Sequence, residues 1–434
     1  MKYLSGIQAA LGAPQVLEAL YGAAVPENGA AEFRDDIEAA YAAAPGSVLL
    51  AAWHWRLAHT GADAAGRLPV NWALAIPLSV LTGLALWLLS GKPFEFPADA
   101  GRTVPYVAVL ITPVIALMVL TFFAVTRKQG YGVPAALGAA LAVVTAYAVW
   151  QSMTNDQYRQ IASTHVPLLA WAAVGVCLMG VRAGARNRFA FLAKSIEVTV
   201  VTGVYALAAM VFAGITMQMF KTLGITLADS VNRLLMVGGA GLMPMIAVAS
   251  VYDPASPPAA QEFRRGLSRM VSTLPRLMLV LTLVVLVVYI VLIPANFMQP
   301  FRDRTALITY NAMLFAVSAL LVGATPVNAD DLSESYLTWL RRGIVAVAAL
   351  VVLVGVYALA AVVYRTAQDR LTINRLTIIG WNVINIGVLG LLLYWQARGG
   401  KTRWIESLHA TFGVASVAYA GWAAFVTLVT VWLF

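Results

Sequence analysis

The chain has 434 residues, of which 61% are hydrophobic and only 11% are charged, a composition too apolar for an ordinary water-soluble protein. Its formal net charge is +9, but the basic residues are divided among many short segments, which argues against a nucleic-acid-binding surface. The single cysteine, Cys177, excludes a disulfide bond within the chain.

Residues 1–68 are predicted to form an acidic cytoplasmic segment of short helices. Seven acidic and four basic side chains give it a net charge of −3. Helices are expected at 7–10, 16–23, 31–44 and 47–57. On the third, Phe33, Ile37 and Tyr41 recur at helical spacing and form an apolar stripe. Because one helical hairpin does not bury such a stripe, we expect docking on loops of this chain or on a partner protein.

Residues 69–434 are predicted to form an all-α, polytopic transmembrane bundle of about eleven helices. A helix of roughly 20 apolar residues crosses about 30 Å of hydrocarbon, and eleven stretches are long enough. Backbone polar groups find no water inside a bilayer, so each stretch is expected to be helical. The predicted spans are 70–90, 104–126, 133–150, 164–181, 198–217, 234–251, 277–297, 306–323, 344–364, 376–395 and 410–434.

The charges of the connecting loops predict the orientation of the bundle. With the N-terminus in the cytoplasm and the C-terminus outside, 15 basic residues fall in cytoplasmic loops and 10 in external loops. The external loop with Arg365, Arg370 and Arg375 goes against this trend.

Residues 255–275, between the sixth and seventh spans, are predicted to form a cytoplasmic amphipathic helix. Apolar side chains including Phe263 and Leu267 share one helical face, and Arg264, Arg265 and Arg269 lie away from it. This pattern is typical of a helix in the lipid headgroup layer, and an ordinary helix packed on the bundle is the alternative.

Signatures of catalysis and metal binding are missing from the sequence. His54 and His59 are five residues apart, unlike two helical metal ligands at i and i+4, and His165 and His409 stand alone near span ends. No phosphate-binding loop of the form G-x-x-x-x-G-K-S/T occurs. The chain is therefore predicted to be neither an enzyme nor a cofactor-binding protein.

Polar residues within the predicted spans are better candidates for function, because they are costly in lipid. Glu197 follows Lys194 by three residues and predicts either an interfacial ion pair or a carboxylate that titrates during transport. Tyr310 and Asn311 lie within the eighth span. The sixth span contains residues that predict either a kink or break, or close helix packing: Gly238, Gly239, Gly241 and Pro244.

The tenth span carries the most distinctive polar pattern. Asn382 and Asn385 share a helical face with Arg375, and Asn374 directly precedes that arginine. This stripe predicts either hydrogen bonds between helices or a polar cavity capped by Arg375. A neighbouring face of small residues would let a second helix approach closely, either within the bundle or from a partner: Gly380, Gly387 and Gly390.

The same region resembles a known family. Arg365, followed by the residues from Asp369 to Arg375 (D-R-L-T-I-N-R), resembles the signature R-x-x-x-Y-G-L-T-x-N-R of a bacterial multipass membrane family, domain-of-unknown-function family four-one-five-three. Asp369 and Arg370 stand where the signature has Tyr-Gly. The resemblance covers about residues 234–395 and implies a bacterial inner-membrane protein without an assigned activity.

Two functions remain open from the sequence. The first is permease-like movement of a small solute or lipid, which the breakable sixth span and the polar tenth span favour. The second is a scaffold or accessory subunit of a membrane complex, which would use the N-terminal helices and the glycine face of the tenth span as contact surfaces.

Overall fold

The computed structural model describes residues 2–24, 29–64, 70–97, 102–127, 130–263, 266–328, 332–399 and 403–434. The chain divides into two compact units, Met1–Pro69 and Val70–Phe434. The boundary lies one residue beyond the expected one.

The N-terminal unit contains four helices: α1 (Leu4–Ala9), α2 (Pro14–Ala24), α3 (Ala30–Ala43) and α4 (Val48–Ala64). Phe33 and Ile37 of α3 are buried, and the ring of Trp53 on α4 packs edge-on to Phe33 with 5.9 Å between centroids. All four helices contribute to this small core. The expectation that the apolar stripe needs an external docking surface is therefore wrong, because the unit buries the stripe itself.

The second unit confirms the predicted polytopic helical bundle. Among the described residues, eleven helical segments are long and apolar enough to cross a membrane. The first five are α5 (Trp72–Leu89), α6 (Val107–Arg127), α7 (Gly132–Ser152), α8 (Asp156–Met179) and α9 (Ala185–Thr222). The sixth combines α10 (Asp229–Arg233), a π-helical turn (Leu234–Gly238) and α11 (Gly239–Val251). The others are α12 (Gly266–Leu292), α14 (Arg304–Ala324), α15 (Glu334–Gln368), α16 (Ile373–Arg398) and α17 (Trp404–Leu428), with the short α13 (Gln299–Arg302) before α14.

The remaining elements are short connections. A two-stranded antiparallel hairpin, β1 (Glu95–Pro97) and β2 (Thr103–Pro105), joins α5 to α6 with Phe96 opposite Val104. Phe96 is fully buried, and its ring centroid lies 4.2 Å from that of Tyr106. Single 3₁₀ turns cover Pro258–Ala260, Pro294–Asn296 and Thr430–Trp432.

Two helices extend well beyond the predicted spans. At 38 and 35 residues, α9 and α15 are about 57 and 52 Å long, against about 30 Å of hydrocarbon. The first part of α9 is not lipid-facing, because Phe189, Lys194 and Glu197 are buried among neighbouring elements. Helices continue past the hydrocarbon here because packing against the bundle stabilises their extra turns.

The sixth span is helical throughout but contains an irregular turn. Its π-helical turn at Leu234–Gly238 precedes Gly239, where the sequence predicts a kink or break. The glycines also serve close packing, since a Cβ on Gly241 would lie 3.2 Å from the Cα of Gly83 on α5. A wide turn keeps the backbone hydrogen-bonded inside a bilayer, which a break would not.

The amphipathic helix predicted at 255–275 is not a separate element. Described residues before 264 form a 3₁₀ turn and extended chain, and α12 then runs without interruption from Gly266 through Pro275 to Leu292. Arg264 and Arg265 lie outside the described residues. Leu267 and Arg269 lie in the first turns of α12. Pro275 costs one backbone hydrogen bond, which a helix packed among others tolerates.

Candidate functional site

The asparagines of α16 connect it to neighbouring helices. Asn382 is 1% exposed, and its Nδ2 donates to the Oδ1 of Asn311 on α14 at 3.3 Å and to the carbonyl of Ile378 at 2.9 Å. The fully buried Asn385 donates from Nδ2 to the carbonyl of Trp381 at 2.9 Å. Its Oδ1 accepts from the hydroxyl of Tyr419 on α17. These bonds join three helices, as the interhelical interpretation of the stripe expects.

A histidine and a tryptophan extend this polar cluster to α8. The indole Nε1 of Trp381 donates to Nε2 of His165 at 2.9 Å, and His165 Nδ1 lies 2.8 Å from the carbonyl of Ile161. Indole is only a donor, so Nε2 must carry a free lone pair and Nδ1 must carry the proton. Both ring nitrogens of this neutral histidine are then occupied. His165 is therefore an interhelical link and has no lone pair left for a metal ion.

Two polar atoms in the cluster have no hydrogen-bond partner within the described part of the chain. They are Nδ2 of Asn311 and Oδ1 of Asn382, one donor and one acceptor on facing side chains. Each unpaired buried atom costs about 1–3 kcal/mol. The α14–α16 contact therefore retains hydrogen-bonding capacity that its own side chains do not use.

Arg375 does not cap these asparagines. Its NH1 donates to the carbonyl of Arg370 at 2.6 Å, and its NH2 lies 2.8 Å from the carboxylate of Asp369. Its guanidinium therefore points back to the preceding loop, whereas Asn382 lies about 10 Å further along α16. Thr372 caps the helix by accepting from the Arg375 backbone N–H at 3.3 Å, and Asn374 is half-buried in the first turn. This stretch of the chain organises the start of α16.

Lys194 and Glu197 form an ion pair that is buried within the protein. The ammonium lies 2.8 Å from the carboxylate, and the two side chains are 1% and 7% exposed. Lys194 also donates to the carbonyl of Glu262 at 2.6 Å and lies 4.9 Å from the ring centroid of Phe263. Phe263 thus packs against the ammonium of Lys194 on α9. It does not lie in a membrane-surface helix.

A polar cavity of about 540 Å³ lies beside this ion pair. The beginnings of α9, α12 and α15 and the end of α14 surround it, and Glu197 and Arg276 bring opposite charges to its wall. The Nε of Arg276 donates to the carbonyl of Ala324 at 3.2 Å. The remaining polar lining comes from Ser272, Thr273, Thr325, Asn328, Ser333 and Tyr336. This volume suits a small solute.

An apolar groove of about 780 Å³ lies toward the other ends of α12 and α14. Leu281, Val285 and Leu286 of α12 face Thr309, Met313 and Val317 of α14 across it. Tyr310 lies at its wall and shares a hydrogen bond with the hydroxyl of Tyr289. Polar groups gather at one end of the groove, at Asn296, Gln299 and Asp303.

The glycines of α16 do not form one continuous contact face. A Cβ on Gly380 would clash with the indole of Trp422, so this glycine accommodates a side chain and not a second backbone. Gly387 and Gly390 have nothing within 4 Å of the position of a Cβ. Only these two remain available to a further helix.

The residues missed by the sequence analysis are those with distant partners. His165 and Trp381 are 216 positions apart, and no local spacing connects them. Arg276 falls between the predicted amphipathic helix, 255–275, and the predicted span, 277–297, whereas it lies inside α12. Among the described residues, no three His, Cys, Asp or Glu side chains are grouped as metal ligands would be.

The described residues define a polytopic helical membrane protein with a polar cavity and an apolar groove beside α12 and α14. Comparison of the chain with protein-family models, curated proteins and solved structures found no match.

Proposed function

We propose that this protein is a permease-like membrane protein that moves a small solute or a lipid across the bilayer, without catalysing a reaction. The single supporting observation is the placement of its cavities. The polar cavity adjoins the start of α12 and the end of α14, and the apolar groove adjoins the opposite ends of both helices. Consecutive spans run antiparallel, so the two cavities lie toward opposite faces of the membrane.

A dry layer separates the cavities. Leu279 of α12, Leu321 of α14 and Ile344 and Val347 of α15 belong to one cluster and are at most 3% exposed. The layer is packed closely, since a Cβ on Gly343 would lie 2.9 Å from a methyl of Leu279. A cavity on each side of a packed constriction is the arrangement that gated transport requires.

The proposal is tested by reconstituting the protein into liposomes. In one arm, vesicles are incubated with an isotopically labelled extract of small molecules, and their contents are read by mass spectrometry. In the other arm, NBD-labelled phospholipids are bleached by external dithionite to measure lipid movement between leaflets. We expect protein-dependent movement in at least one arm, and its absence from both would overturn the proposal.

Substitutions in the cavity wall provide the controls. Arg276→Gln removes a charge that faces the polar cavity, and we expect it to slow any solute movement. Arg342→Gln is the matched control, since Arg342 carries the same charge near the start of α15 and contacts Trp339. Equal loss in both variants would indicate a general effect of charge and would count against the cavity as the route.

The charge of the loops and the family resemblance support a proposed location and orientation. We propose that the protein belongs to domain-of-unknown-function family four-one-five-three and lies in a bacterial inner membrane. The excess of basic residues in one set of loops supports a cytoplasmic N-terminus and an external C-terminus. The polar cavity then faces the cytoplasm. Reactivity of tags at the two termini in intact cells tests this orientation.

A scaffold or accessory role is the second candidate, and one observation favours it. Gly387 and Gly390 leave open space on α16 where another helix would fit. Purification in a mild detergent tests this role: a stoichiometric partner or self-association lost in Gly387→Leu would support it. Recovery of the protein as a monomer without partners would exclude it.

A further inference from the structure

We infer that the apolar groove between α12 and α14 binds a single acyl chain of a membrane lipid, which enters sideways from the bilayer. This goes beyond transport, because the groove can hold a lipid whether or not the protein moves one. The inference depends on the position, the dimensions and the lining of the groove.

The wall of the groove is continuous with the lipid-facing surface. Leu281, Val285 and Leu292 line it, yet these side chains are 56%, 58% and 53% exposed. In the 18-residue apolar stretch of α12, only 11% is buried within the protein. Residues that are both exposed and groove-lining show that the groove opens laterally. Hydrocarbon surrounds that opening, so the molecule with access to it is a lipid.

The length of the groove matches one leaflet. Its lining begins at Leu281, the midpoint of the span Met270–Leu292, and continues to Leu292 at its end. These residues cover about 16 Å of helix. Half of a hydrocarbon core of about 30 Å is about 15 Å. The groove therefore extends from the middle of the bilayer to one surface, as an acyl chain does.

The polar residues lie where a lipid has its polar part. Asn296, Gln299 and Asp303 follow the end of α12 and line only the surface end of the groove. Tyr357 adjoins them, and its hydroxyl donates to the carbonyl of Phe297 at 2.6 Å. Towards the bilayer centre the wall is mainly aliphatic, from Leu281, Val285, Leu286 and Val317. An apolar cleft with a few polar groups at one end orients an amphiphile.

The test uses the full-length protein in vesicles of phosphatidylethanolamine and phosphatidylglycerol. These vesicles contain a trace of phospholipid with a diazirine in the middle of its acyl chain. After illumination, mass spectrometry locates the labelled residues. We expect labelling concentrated on Thr282, Val285 and Met313, above that of Val284 and Val288, which also face lipid but do not line the groove.

Neighbouring valines provide a matched pair of variants. Val285→Trp fills the groove, and Val284→Trp places the same bulk on the lipid-facing surface beside it; the native side chains are 58% and 55% exposed. The added indole takes up space that a bound chain would occupy, so groove labelling should be lost in Val285→Trp and kept in Val284→Trp. Thr309→Trp and Ile308→Trp repeat the comparison from α14.

Three outcomes decide the inference. Loss of labelling in the groove variants alone supports a bound acyl chain. Uniform labelling around α12, or equal effects of the paired variants, would overturn it and indicate ordinary annular lipid. Because labelling does not require flux, groove labelling without movement in liposomes would reject the permease and retain the lipid site.

Discussion

Trp381 donates its indole hydrogen to His165 across 216 residues of chain, and both side chains are buried within the bundle. Trp381→Phe keeps an aromatic ring but leaves Nε2 of His165 without its donor. We expect this variant to lose about 1–3 kcal/mol of stability. The readout is the midpoint of thermal unfolding in detergent.

A double-mutant cycle isolates the bond. His165→Leu combined with Trp381→Phe removes both polar partners, so its loss should be smaller than the sum of the single losses. If the stability loss of the double variant equals the sum of the two single losses, the two residues are not coupled.

The ion pair of Lys194 and Glu197 gives a second prediction. Lys194→Met removes the ammonium beside a carboxylate that is 7% exposed, and we expect a loss of about 3–5 kcal/mol. Lys194→Met with Glu197→Leu should recover much of it, because the buried charge is gone as well. Arg34→Met is the control: its partner Asp35 is 73% exposed, and such surface pairs contribute about 0–1 kcal/mol. Equal unfolding midpoints for Lys194→Met and Arg34→Met would refute the buried pair.

The contact of α5 with the sixth span gives a third prediction. A Cβ on Gly83 would lie 2.6 Å from the carbonyl oxygen of Gly238, so Gly83→Ala must push the helices apart. We expect a lower unfolding midpoint. Gly239→Ala, with nothing within 4 Å of its added methyl, should leave the midpoint unchanged or raise it slightly. An unchanged midpoint in Gly83→Ala would contradict this close approach of the two helices.

The N-terminal unit gives a prediction about pH. Arg56 donates two hydrogen bonds to the carboxylate of Glu18, at 2.5 and 2.9 Å, and this bonding holds the pKa of Glu18 below its ordinary value of 4.5. A carboxylate with a lowered pKa stabilises the folded state above its unfolded pKa, and this contribution is lost as the pH falls through the folded pKa. The pair is exposed, so salt weakens it.

Hydrogen exchange of the full-length protein measures this effect. After correction for intrinsic rates, peptides from α2 and α4 should be less protected in Arg56→Gln than in the native protein at neutral pH. The difference should vanish well below pH 4.5, where Glu18 is protonated in both proteins. A difference that persists in acid would assign the effect of Arg56 to packing, for instance on Trp53, whose ring centroid lies 4.4 Å from the guanidinium.

The spans could be predicted from the sequence because hydropathy and helix formation in lipid are local properties. The asparagines of α16 could be singled out for the same reason, since a polar side chain in an apolar run is visible without a partner. Their partners were not predictable: Asn382 bonds Asn311 and Asn385 bonds Tyr419, contacts that only helix packing creates.

Two differences between the sequence patterns and the structure have a common cause. Residues 255–275 have an amphipathic pattern, and Arg375 shares a helical face with Asn382, but a pattern does not say where a helix begins or how a long side chain turns. The structure starts α12 at Gly266 and directs the guanidinium of Arg375 to Arg370 and Asp369. The cavities were invisible to sequence because side chains from at least three helices form each of them.

The proposed permease depends on a polar cavity and an apolar groove that lie toward opposite faces of the membrane with a dry layer between them. Cysteine labelling tests this directly in a Cys177→Ala background, with single cysteines at Thr273 in the polar cavity, Gln299 in the groove and Leu321 in the layer. A membrane-impermeant thiol reagent is added to one side of oriented proteoliposomes at a time. We expect Thr273→Cys and Gln299→Cys to react from opposite sides and Leu321→Cys to resist reagent from both. Reaction of Thr273→Cys and Gln299→Cys from the same side, or ready labelling of Leu321→Cys, would show that no such barrier divides the two cavities.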